Sequence, residues 1–261
     1  MRATVASMDF ERQSPGVAAL SLAGLVLAWQ AASTLTADPS VLPSPAAVAR
    51  IVVHLAETGE LAHHISATLF RVAGAFGLAF ALGALLGGVM GRSQRLDRWL
   101  DPWLVVFLNV PALVVIVLCY LWIGLNEAAA IVAVAVNKTA MVAVTIREGV
   151  RALEPRVVEM ARLYGMSAAE RLWHVTLPQL MPYILASIRN GLAIIWKIVL
   201  VVEFLGRSNG VGFQIHLHFQ LFDVGTVLAW SFSFVGLMLL IEMALVKPLE
   251  LRTTAWRRAV S

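Results

Sequence analysis

The sequence predicts an all-α fold: one polytopic membrane domain over residues 1–261, a bundle of about six transmembrane helices. Three observations carry this. Hydrophobic residues make up 59% of the chain and mean hydropathy is +0.80, which excludes an ordinary soluble domain. Six apolar windows approach the roughly 20 residues that cross about 30 Å of hydrocarbon; they are 17–35, 66–90, 103–122, 127–146, 183–206 and 224–246. Finally, basic residues are distributed unevenly among the connections, as the positive-inside rule requires of a multi-span protein.

Each element has its own warrant. The window 17–35 ends among small residues, Ala31, Ala32 and Ser33, as a signal peptide does. Its leader, however, carries Asp9 and Glu11 beside Arg2 and Arg12, and its apolar run exceeds a signal core, so we read a retained span. Leu42-Pro43-Ser44-Pro45 is a rigid outer turn. After it, residues 46–57 place Val48, Ile51, Val52 and Leu55 on one side, an amphipathic helix for the outer interface. The second span is rich in small residues, and Gly83, Gly87 and Gly91 repeat every four, which lets another helix approach closely. Residues 91–101 read as an inner loop with three arginines, and Pro111 bends or interrupts the third span. The stretch 122–126 is a tight turn that makes a hairpin of the third and fourth spans.

With the N-terminus in the cytoplasm, the inner side collects Arg2, Arg12, Arg92, Arg95, Arg98, Arg147, Arg151, Arg156, Arg162, Arg171, Lys247, Arg252, Arg257 and Arg258. The outer side holds Arg50 and Arg207. Both termini are therefore expected in the cytoplasm. The net charge of +4 reports topology, and no aromatic-basic interleaving points to nucleic acid. The sole cysteine, Cys119, lies in an apolar run and has no internal disulfide partner.

Residues 150–178 break the apolar pattern with a polar, basic helix-turn-helix between two spans. Pro155 opens a helix with Val157, Val158 and Ala161 on its apolar side and Arg156, Glu159 and Arg162 on its wet side. Gly165 stops it where a positive φ is tolerated. Ser167 to Glu170 has the spacing of a capping box, starting a short stub that ends before Pro178. The tip presents Tyr164, Met166 and Leu172 beside Arg162 and Arg171, an apolar patch rimmed by arginine that suits a partner groove. A helix resting on the membrane surface is the competing reading.

Glu159, Ala161, Gly165, Val175, Leu177 and Pro178 reproduce the spacing of a known motif, with Met160 where that motif has its middle alanine. It resembles the EAA loop of inner-membrane permease subunits of binding-protein-dependent ABC importers. Further pieces are similar to the nitrate/sulfonate/taurine-type branch: Leu42 to Pro45, Thr68 to Val72, Met90 to Ser93, Asp101-Pro102, Leu121 to Gly124, Glu203 and Gly210 to Gly212. In place of that family's Gly-x-Gly-Glu turn stands Gly124-Leu125-Asn126-Glu127. The resemblance implies a multi-pass protein of the bacterial inner membrane that works as a pair of permease copies with two ATP-binding subunits and a periplasmic solute-binding protein. It implies that Tyr164 through Arg171 couple to the ATPase, on which ATP and magnesium are expected. This chain then has no enzymatic activity or cofactor of its own. Coupling residues are Glu159, Ala161, Arg162, Tyr164, Gly165, Met166, Ser167, Glu170, Arg171 and Pro178.

Charges inside the apolar windows are costly unless paired or wet, so each is a functional candidate. Arg71 is read as snorkelling to the outer surface. Asn137, Lys138 and Lys197 fall in mid-span, where snorkelling does not reach water, and point to a polar path for an anionic solute. A pairing of these lysines with Glu203 or a carbonyl is the alternative. Glu203 and Arg207 are spaced for an i,i+4 contact. His216 and His218, two apart, read as interfacial histidines and not as a metal site. No phosphate-binding Gly-x-x-x-x-Gly-Lys-[Ser/Thr] run occurs, so energy is expected from another chain. A stand-alone ion-coupled transporter or channel, and a non-transporting scaffold, are the other classes; no inverted repeat favours the former.

Overall fold

Residues 15–246 are described by a computed structural model, and among them every regular element is helical. The basic tails that hold Arg2, Arg12, Lys247, Arg252, Arg257 and Arg258 lie outside the described residues. Five helices are long and apolar enough to cross a membrane, or six if one bent pair counts as a single span.

Helix α1 (Pro15–Thr36) stands at the margin. Trp29 stacks on Phe232 at 5.1 Å between ring centroids, and the Ser33 hydroxyl donates to the Leu42 carbonyl at 2.9 Å. Helix α2 (Pro45–Glu57) is the expected amphipathic one. Ser44 accepts from the Ala47 amide at 3.2 Å, Pro45 fills the first turn, and Val48 and Leu55 face inward.

Helix α3 (Glu60–Arg92) packs lengthwise on α6 (Glu127–Arg151), and glycine sets their separation. A Cβ at Gly83 would lie 2.5 Å from Val142 Cβ, one at Gly91 2.5 Å from Val150 Cβ, and one at Gly87 would run into the Ala143 carbonyl. The four-residue repeat is thus a close-packing seam.

Residues 94–101 are not a loop. Ser93 caps α4 (Gln94–Asn109) by accepting from the Leu96 amide at 3.4 Å, and the polar stretch is this helix's first turns. Arg147 bridges Asp97 at 3.1 Å and also Asp101, while Arg151 reaches Asp97, so ion pairs hold that stretch helical against α6. The bend expected at Pro111 is large: α4 and α5 (Ala112–Ile123) meet at 96°. Pro111 supplies no amide, and it forces Val110 out of the helical region, to ψ 124°.

Helix α7 (Pro155–Leu163) and the short α8 (Ala168–Arg171) form the helix-turn-helix. The stub does not end before Pro178. It runs through a wide turn, Leu172–Thr176, into α9 (Leu177–Gly206). There the Leu177 amide reaches five residues back to the Leu172 carbonyl, a spacing that accommodates a proline one position later without breaking the helix. Gly210 then starts α10 (Val211–Gln220), and α11 (Val224–Ile241) closes the bundle.

Candidate functional site

The helix-turn-helix forms as its residue types dictate. Gly165 adopts φ +74°, its amide donates to the Arg162 carbonyl and the Met166 amide to the Ala161 carbonyl, at 3.0 and 3.1 Å. These are the paired bonds of a Schellman stop. Ser167 then makes a reciprocal capping box: its amide donates to Glu170 at 2.7 Å and its hydroxyl accepts from the Glu170 amide at 3.3 Å. The Ser167 amide and hydroxyl hold the Glu170 carboxyl below the usual carboxylate range. Arg171 folds back to donate to the Met166 carbonyl at 2.6 Å, closing the turn.

What the turn displays is apolar. Leu163 is 88% exposed, Tyr164 81% and Trp173 67%. Glu159, Arg162, Ser167, Glu170 and Pro178 are also exposed, Met166 and Arg171 are half-buried, and Ala161 is buried. All ten residues expected to couple thus fall on one compact projection or its junction with α9. Leu163 and Trp173 add exposed apolar surface to the projection; the residue pattern places neither at the tip.

Asn137 and Lys138 are half-buried on α6, and Lys197 is exposed on α9, a helix that packs beside α6. Lys138 lies eleven residues from the α6 end at Glu127 and Lys197 nine from the α9 end at Gly206. At 1.5 Å per residue the two sit about 14–17 Å below those ends, a matching depth.

Arg71 does not snorkel. It is 2% exposed and enclosed by a network that residue spacing did not reveal. Its Nη1 donates to Glu203 at 2.6 Å and to the Asn209 carbonyl at 2.9 Å. Nε and Nη2 grip both Glu127 oxygens at 2.8 and 2.6 Å, and Nη2 also reaches the Asn209 side chain. Glu203, fully buried, accepts further from Thr68 at 3.0 Å and from the Gly212 amide at 2.9 Å. The Gly210 amide donates to His64 Nδ1 at 3.0 Å and the Val211 amide to Thr68 at 2.9 Å. Arg207 turns to Glu127 at 2.5 Å; it is not the Glu203 side-chain partner that the i,i+4 spacing had indicated. Desolvating so many ions is tolerable because each is paired and bonded several times over. The network locks α3, α6, α9 and the start of α10 together. Opposite charges at similar depth in separate apolar windows were the signal for it.

No group of three or more His, Cys, Asp or Glu side chains able to hold a metal occurs among the described residues. His216 and His218 lie on a helix, and His218 faces Asp223 at 3.3 Å.

A helical bundle with several membrane-spanning elements, an exposed apolar projection between two of them and mid-span cations defines a transport subunit. The chain belongs to the family described as binding-protein-dependent transport system inner membrane component, whose model matches residues 79–247. It is the permease subunit of an ABC importer, a multi-pass component of the inner membrane. It is 35% identical over 191 residues to the aliphatic sulfonates transport permease protein SsuC of Escherichia coli (strain K12), covering 73% of each chain. It is 29% identical to the taurine transport system permease protein TauC of the same organism, over 92% of this chain and 89% of that one. A third relative, the riboflavin transport system permease protein RibX of Chloroflexus aurantiacus, is 31% identical over 76% of this chain and 75% of its own. Among solved structures, a chain of an amino acid ABC transporter shares the fold, with TM-score 0.62 and 22% identity over 77% of this chain and 97% of that one.

Proposed function

We propose that this permease passes a small anion, of the sulfonate, nitrate or carboxylate kind, along a face lined by Asn137, Lys138 and Lys197. The observation that carries the reading is the depth of the two lysines, which match each other and lie too far from either surface to be wetted by reach alone. An exposed mid-span ammonium facing lipid would be expensive, so the Lys197 face of α9 belongs to a water-filled path. Two relatives are named for sulfonates and for taurine, which supports an anion. The one named for riboflavin shows that likeness alone does not select the solute.

Each copy supplies half of the path, so two copies assemble, with N- and C-termini in the cytoplasm. Two ATP-binding subunits, carrying ATP and magnesium, dock on Tyr164 through Arg171, and a periplasmic solute-binding protein delivers the solute. The rigid Schellman turn and capping box support this, because a lever has to keep its shape under load. Uptake of taurine, an alkanesulfonate, nitrate and an aromatic carboxylate by Lys138→Ala and Lys197→Ala variants tests the reading. Loss of uptake in either supports it; unchanged uptake of every solute in both removes the anion path.

A further inference from the structure

We infer that Phe204, His216 and Phe219 form the outer gate of this path, with α10 as the element that holds it. The inference rests on the proposal that Lys197 lines the path. Asn190, Lys197 and Phe204 are seven residues apart, two helical turns each, so they stand nearly in line on α9. Asn190, Ala193, Lys197 and Val201 are all exposed along this line, and Phe204 is the first half-buried residue above them. It lies about 10 Å outward of Lys197 at the helical rise of 1.5 Å per residue.

What covers Phe204 is α10. The His216 ring meets it edge-on at 4.4 Å between centroids, and the Phe219 ring lies 6.4 Å away, tilted by 47°. Phe219 is itself 62% exposed, so the cluster projects from the α9 surface and is not sunk in the core. The other end of α10 is fixed. Gly210, Val211 and Gly212 donate their amides to His64, Thr68 and Glu203, and Gly212 sits so close to α9 that a Cβ would lie 2.8 Å from Glu203 Cβ. One end of the helix is therefore riveted to the Arg71 network, and the other places aromatic rings above the polar line. An aromatic constriction of this kind excludes water and ions by dewetting.

Cysteine labelling of the assembled complex tests this, since Cys119 is buried and readily removed by Cys119→Ala. Lys197→Cys is reacted in nucleotide-free vesicles with membrane-impermeant sulfonatoethyl methanethiosulfonate, from either face separately. With both phenylalanines intact, labelling from the outer face is slow; Phe204→Ala or Phe219→Ala raises it on the order of tenfold, and Phe219→Leu keeps the protection. Fast outer labelling with the rings intact overturns the gate. So does protection that survives both alanine variants while inner-face labelling proceeds; the path would then stand and its seal lie elsewhere. No labelling from either face overturns the path reading, and the gate with it.

Discussion

Arg71→Met is the most informative perturbation of the fold, because the structure states what it leaves behind. The guanidinium contacts Glu203, both oxygens of Glu127 and two groups of Asn209. Methionine fills much of the stem volume but removes every one of these donors. Glu127 keeps Arg207 and is 42% exposed, so its loss is modest. Glu203 is fully buried and keeps bonds from Thr68 and Gly212 but no cation. Breaking a buried pair from one side costs about 3–5 kcal/mol. At about 2–4 °C per kcal/mol, the scaling for soluble domains of comparable length, this is roughly 6–20 °C in the melting of the purified complex. The double variant Arg71→Met with Glu203→Gln should melt well above the single one, since no uncompensated charge remains inside. A shift under about 1 °C for Arg71→Met, or losses that simply add in the double variant, would refute the reasoning.

Three further outcomes follow from the geometry. Gly165→Ala strains a residue at φ +74° by about 1–2 kcal/mol and should weaken retention of the ATP-binding subunit, while Gly165→Pro, whose ring fixes φ near −65°, should abolish it in a pull-down. Ser167→Ala removes the cap and about 1 kcal/mol from the start of α8, giving a measurable loss of coupled ATP hydrolysis with spans intact by protease protection. Gly87→Val drives a side chain into the Ala143 backbone and should prevent stable assembly, whereas Gly77→Ala, with open space around it, should express and melt like the parent.

Much of this was legible in the sequence, where the governing interactions are local. Five of the six span windows coincide with helices long and apolar enough to cross a membrane, while 103–122 is split by the 96° bend. The Gly83–Gly87–Gly91 seam follows from spacing, and the turn at Gly165 from backbone chemistry at one position. The Pro111 bend needs no more than a missing amide. Three features are not local. The Arg71 partners lie 56, 132 and 138 residues away, and no periodicity carries that information. Residues 94–101 look like a loop because they are polar, yet Arg147 and Arg151 supply the opposite charges that fold them against α6. Helix α10 opens with Gly210 and Gly212, and what demands glycine there is close approach to Glu203 on α9, which no local pattern states. For the candidate site, the turn at Gly165 and the capping box were readable, the continuation of the stub into α9 was not, and its most exposed side chains were readable in part. The depth match of Lys138 and Lys197 was readable too, while the aromatic cover over α9 required coordinates.

The claim on which the account turns is that the projection at residues 159–178 takes mechanical work from a separate ATP-binding chain. Photo-crosslinking reads this directly, with benzophenone side chains placed at Leu163, Tyr164 and, as a control on the opposite end, the exposed Val53. The account predicts adducts with the ATP-binding subunit at 163 and 164 and none at 53. Adducts with lipid alone at 163 and 164, or with the solute-binding protein there, would contradict it.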